Sequence, residues 1–294
     1  MRNHKGRKPT SDGIDPSILK SLARYTRTLT LFPGFAANAA GKSEVLRLLS
    51  VLDSAINKKP TIGLIFTSKE IEYHKELRTD IGLEFEEADR LATEFKGLSV
   101  AAQGLLQPDA PMIRAIVLKI SQFAQEGRTR IAIDSPRRPK QALALLQTGL
   151  IVRPWELELT KEQCIWRTYL RVLDGQDRVD NTKARARYDM LTRENADSLL
   201  VLPDGPGSRI SMSAMLNMET KLLNLAQFFG FDEDQLSKMR SLLKRPDHPV
   251  SKRIAKLNAL EKQLAQAYPG MPEWPDLHQP TTFSRNTGLA AVAA

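Results

Sequence analysis

Apolar residues recur along this chain in two alternating rhythms. Short β-prone runs at 29–32, 61–66, 130–134, 150–152, 155–159 and 199–202 alternate with stretches in which apolar side chains return every three or four residues. Val45, Leu48, Leu49, Leu52 and Ile56 form one helical stripe after the first run, and Met112, Ile113, Ile116, Val117 and Ile120 form another before the third. Thr67 with Glu70, Thr160 with Gln163 and Asp232 with Gln235 have the spacing of capping boxes, so helices are predicted to begin there. Further helices are predicted over 140–147 and 182–195, and from the Pro203-Asp-Gly-Pro-Gly turn to Phe229, with Gly230 as a C-cap.

Strands that alternate with helices imply a parallel sheet covered on both faces, because a parallel strand pair needs a crossover connection. The expected fold is therefore a three-layer α/β/α arrangement with a mostly parallel sheet. Ligands of such sheets bind at the carboxyl ends of the strands. After residue 230, Leu236, Met239, Leu242 and Leu243 continue the helical pattern, and Ile254, Leu257, Leu260 and Leu264 form a stripe expected to pack on its own domain. Pro269, Pro272, Pro275 and Pro280 end it. The expected organisation is a basic tail over 1–26, a main domain over 27–228, a helical extension over 229–268 and a proline-rich tail over 269–294.

Composition changes this picture little. The 294 residues hold 43 Lys+Arg against 34 Asp+Glu, a net charge of +9 that favours an anionic partner. Residues 1–43 alone carry eight basic side chains against Asp12 and Asp15, so the body of the chain is nearly neutral. Lys238, Arg240, Lys244, Arg245, Lys252, Arg253 and Lys256 mark the C-terminal hairpin as the best candidate contact for nucleic acid, with the basic tail as another. The single cysteine, Cys164, excludes an internal disulfide and a cysteine-rich zinc site. No run approaches the roughly 18–20 apolar residues of a membrane span, and the polar first residues lack an apolar signal region, so a cytoplasmic protein without membrane contact is expected.

The chemistry-bearing segment follows the first strand. Phe32-Pro-Gly-Phe-Ala-Ala-Asn-Ala-Ala-Gly-Lys-Ser43 ends in Gly41-Lys42-Ser43 where a helix begins. In a phosphate loop the backbone N–H groups and helix N-terminus wrap the phosphates, the lysine reaches the β and γ groups and the serine ligates magnesium. The first glycine of that motif would stand at position 36, which is Ala36, and Gly34 lies two residues early. Asp134, at the end of the third strand, stands where a magnesium-organising acid would sit, and is equally an ordinary N-cap residue.

Taken in order, these residues resemble the adenylate kinase and nucleoside monophosphate kinase family over about residues 27–228. Pro33-Gly34 and Ala40-Gly41-Lys42 resemble the family's phosphate loop with an insertion. Gly104-Leu-Leu-Gln-Pro-Asp109 and Asp134-Ser-Pro-Arg137-Arg-Pro-Lys-Gln141 resemble its Gly-x-Leu-Val-Pro-Asp and Asp-Gly-Phe-Pro-Arg-x-x-x-Gln segments. Trp155-Glu156-Leu with Arg167 and Arg171 resembles the strand and paired arginines before the lid, a lid here expected over about 171–187 and free of zinc. Residues 199–205 resemble the last strand and its Asp-Gly turn.

The resemblance implies transfer of the ATP γ-phosphoryl group to a nucleoside monophosphate, with Mg2+ as the metal. It implies that Gly34, Gly41, Lys42 and Ser43 hold the donor phosphates, that Ser43 and Asp134 serve the magnesium, and that Arg167 stacks on the donor base. Arg137 and Gln141 would hold the acceptor, with Arg78 as a counterpart of the acceptor-phosphate arginine, and Arg171, Arg178 and Arg187 would close over the phosphates; Arg185 falls among the arginines expected in the helix after the lid. Arg167 and Arg171 also have the i, i+4 spacing of a solvated helix face. Two departures stand out: Thr67-Ser68-Lys69 replaces the family's Thr-Gly-Asp, and Glu44 places a negative charge beside the phosphate turn. Two other functions fit the same sequence. One is a decayed P-loop scaffold that binds nucleotide or nucleic acid; the other is a kinase of another small acceptor.

Overall fold

The computed structural model describes residues 14–37, 40–95, 109–134, 136, 138–175 and 181–267. Helices α1 (Pro16–Leu22), α2 (Lys42–Ile56), α3 (Thr67–Glu76), α4 (Asp80–Glu94), α5 (Asp109–Gln125) and α6 (Pro139–Gln147) are followed by α7 (Lys161–Leu173), α8 (Asn181–Leu200), α9 (Met218–Phe228), α10 (Glu233–Leu243) and α11 (Pro249–Ala267). The strands are β1 (Thr30–Ala36), β2 (Ile62–Phe66), β3 (Arg130–Asp134), β4 (Ile151–Val152), β5 (Trp155–Glu158) and β6 (Ile210–Ser213). They form one sheet in the order β2-β3-β1-β5-β6, with β4 pairing β1, and the pairs β1–β4, β1–β5, β2–β3 and β5–β6 are all parallel. The α/β class read from the sequence holds.

β1 runs four residues past the expected end at Phe32. Pro33 is tolerated inside it because the partner changes there: Thr30 and Leu31 pair with Ile151 and Val152 of β4, whereas Gly34, Phe35 and Ala36 pair with residues 155–157 of β5. The residue without an N–H thus falls in the gap between two ladders.

The last strand also differs from expectation. Residues 199–202 are not a strand: Leu199 and Leu200 end α8, which runs without Gly or Pro from Asn181, and Leu191, Asn195, Ser198 and Leu199 share its buried face. Extending a formed helix costs less than starting a strand. The strand is instead Ile210-Ser-Met-Ser213, whose Ile210 and Met212 are buried in alternation. Residues 199–205 therefore do not carry the likeness to the family's last strand.

The chain forms two compact units. One comprises Met1–Pro33, Thr61–Val152 and Arg193–Leu202; the other comprises Gly34–Pro60, Arg153–Thr192 and Pro203–Ala294. In the first, α3, α4 and α5 pack together around Ile81, Phe85 and Ala115, with Ile71 and Met112 against them. In the second, α9, α10 and α11 pack on α2, and α11 also packs on α7 through Leu264, which joins Trp166 and Leu170. The expected stripe of Ile254, Leu257, Leu260 and Leu264 thus covers its own unit. Asp232 with Gln235 and Thr160 with Gln163 form the reciprocal caps their spacing predicts. Gly230 ends α9 with φ +80°. Thr67 does not cap: the N-cap of α3 is Phe66, and the Thr67 hydroxyl donates to the carbonyl of Asp134 on β3 at 3.3 Å.

Candidate functional site

In the second unit, β1 delivers the chain to Gly41, whose φ of +83° places it in the left-handed region that favours glycine. α2 begins at Lys42 with no side chain capping it. Lys42 is 7% exposed, and its Nζ donates to the carbonyl of Gly34 at 3.2 Å, so the lysine folds back along the turn. Gly34 lies within β1. A Cβ there would stand 2.5 Å from Cζ2 of the buried Trp155, so the glycine is required by the indole packed on it. Ser43 is half-buried in the first turn of α2.

Arg167 comes from α7 and is not on a solvated face. It is buried, its Nη1 donates to the carbonyl of Ala214 at 3.4 Å and lies 3.8 Å from Glu261, and its Nη2 lies 2.9 Å from where a Cβ on Gly41 would be. Thus the guanidinium reaches from the Gly41 turn to the end of β6. Arg171, one turn on, is half-buried.

Sequence reasoning missed Lys221 on α9. It is 2% exposed and its Nζ donates to the same Ala214 carbonyl at 2.9 Å. Burial, helped by the charge of Arg167 and opposed by Glu261, lowers its pKa to about 7. The signal was available: Met218, Lys221, Leu222 and Leu225 follow the i, i+3, i+4, i+7 spacing of a core stripe, with a lysine at one of its positions.

Glu44, the acid beside the turn, is paired. Arg253 of α11 holds it at 2.5 Å and also grips both oxygens of Asp174, at 2.9 and 2.6 Å, while Lys256 adds a contact to Asp174 at 2.8 Å. These cations hold the Asp174 carboxyl down to about 2. Elsewhere on the hairpin, Lys238 pairs with Asp234, Arg240 with Glu233 and Arg245 with Asp247. The basic stripe carries its own acids, two of them on the first turn of α10.

In the first unit, Asp134 ends β3 and its carbonyl accepts the Thr67 bond. Gln141 is buried, and its Nε2 donates to Oδ1 of Asp109 at 3.1 Å, with Arg138 at 3.5 Å from the same oxygen. Two segments that resembled the family separately therefore meet through one carboxylate. Arg78 is 74% exposed at its side chain, has φ +52° and pairs with Glu86 at 3.3 Å. Arg185 and Arg187 are exposed on α8. Arg137 and Arg178 lie outside the described residues, as do residues 104–108.

Among the described residues no three His, Cys, Asp or Glu side chains group as a metal site, and no helix is long and apolar enough to cross a membrane. No protein-family model matches the chain, and no curated protein sequence matches it.

Proposed function

We propose that the chain is a cytoplasmic P-loop phosphotransferase that moves the γ-phosphoryl group of ATP to a nucleoside monophosphate. The observation that carries this is the Gly41-Lys42-Ser43 turn at the carboxyl end of β1, with an uncapped helix start behind it and the Arg167 guanidinium against Gly41. Phosphoryl transfer asks a protein for little covalent chemistry and much neutralisation of spread negative charge. Backbone N–H groups at the start of α2, Lys42 and Arg167 supply that neutralisation in a place where burial strengthens each contact. Lys42 exchanges its bond to the Gly34 carbonyl for phosphate oxygens. The Glu44 charge, paired with Arg253, is withheld from the phosphates.

By resemblance, magnesium would enter with ATP, with Ser43 as its ligand, and would offset phosphate charge; such ions take few protein ligands. By resemblance, Gln141, fixed by Asp109, reads the acceptor base, and Arg137 grips its phosphate with bidentate geometry. A coupled assay of ATP against each nucleoside monophosphate tests the proposal. Turnover with at least one acceptor is expected, with Lys42→Ala lowering kcat by about 100-fold or more. Absence of turnover with every acceptor, or equal turnover by the variant, rejects it.

A further inference from the structure

An ammonium carries three donors, and among the described residues Lys221 uses one of them, on the Ala214 carbonyl, while the residue is 2% exposed. That carbonyl does not need the lysine, because Arg167 Nη1 reaches it as well. The start of α9 does not need it either, since the Asn217 side chain accepts from the N–H of Thr220 at 2.8 Å. The charged groups that face Lys221 are Arg167 from α7, which repels it, and Glu261 from α11, which lies 3.8 Å from Arg167. An ammonium held out of water beside a second cation is costly unless an anion completes its surroundings. Arg167 Nη2 in turn lies 2.9 Å from where a Cβ on Gly41 would be, so the cation beside Lys221 adjoins the Gly41 turn.

We propose that Lys221 binds an anionic oxygen of the nucleotide received by the Gly41-Lys42-Ser43 turn, adding a cation from α9 to Lys42 and Arg167. This rests on the reading of that turn as a phosphate site. With a pKa of about 7 in the free protein, Lys221 is largely neutral at pH 8. A bound anion favours the ammonium, so nucleotide binding at that pH takes up a proton onto Nζ.

Calorimetric titration of the full chain with ADP at pH 8, in two buffers of different ionisation enthalpy, reads this directly. Proton uptake approaching one per nucleotide is expected. Lys221→Met should bind ADP about 10-fold or more weakly without uptake; Lys221→Arg, charged in both states, should keep affinity within a few-fold and also lose uptake. A Lys221→Met protein with the parent's affinity and uptake overturns the role of Lys221 and leaves the phosphate turn standing. A parent protein that does not bind ADP overturns both. Should Lys221→Met not fold, uptake that persists in Lys221→Arg overturns the proposal.

Discussion

Cys164 is 1% exposed, and burial pushes its thiol up to about 11, with the nearby Arg167 pulling weakly the other way. At pH 8 it is therefore a protonated, enclosed apolar group rather than a nucleophile. Iodoacetamide at pH 8 should label it at least about 100-fold more slowly in the native protein than in denaturant, as mass spectrometry would show; comparable rates would contradict the packing. Gly34 makes a second test at this scale. Its Cβ would meet the Trp155 ring on a central strand where neither side can yield, so Gly34→Ala should cost stability at the upper end of the ~1–3 kcal/mol typical of overpacking, visible as a lower Tm. Trp155 itself is legible as a β-prone apolar residue, but nothing in the sequence says that its ring lies on Gly34. Lys221 was hidden for the converse reason: a lysine in an apolar stripe reads as an exception until the structure shows it buried beside Arg167.

Among the elements, legibility follows how local the deciding physics is. The caps at Thr160 and Asp232 depend on residues three apart, and both formed; at Thr67 a strand 67 residues away takes the hydroxyl instead. β6 escaped notice because two of its four residues are serines and its apolar alternation has meaning only against β5. α11 is the element whose role was least visible, since besides its apolar packing one arginine, Arg253, ties it to both Glu44 of α2 and Asp174 beyond α7. Arg253→Met leaves Asp174, 7% exposed at its side chain, with Lys256 as its remaining cation among the described residues, and removes the Arg253 partner of Glu44. A loss of about 1–3 kcal/mol is expected from such an uncompensated charge, measured by denaturant unfolding. The pH dependence gives a sharper readout. A carboxyl whose folded pKa is depressed to about 2 contributes stability that is present above its unfolded value near ~4 and is lost as pH falls through 2. The Arg253→Met protein should lose part of that acid limb, and an unchanged profile between pH 4 and 2 would show that Arg253 does not hold Asp174 in solution.

Over the whole molecule, the alternation of strand and helix was enough to give a parallel α/β sheet, whereas the order β2-β3-β1-β5-β6 is a matter of long-range pairing that no local pattern carries. The net charge of +9 was the poorest guide of all. The structure sharpens why: on the C-terminal hairpin the cations of Lys238, Arg240, Arg245, Arg253 and Lys256 are engaged with carboxylates, so the apparent basic patch is largely neutralised in place. Polyanion attraction is then expected to rest mainly on Arg2, Lys5, Arg7 and Lys8. DNA affinity measured against salt distinguishes the two sources, because log K falls with log salt at a slope of about −0.9 for each phosphate neutralised on a duplex. The full chain should show a slope corresponding to no more than about four phosphates, and removal of residues 1–13 should abolish it while the Tm is retained. If binding instead survives that removal and falls with Lys244→Ala and Lys252→Ala, the hairpin is the polyanion surface after all, and its ion pairs open to make it so.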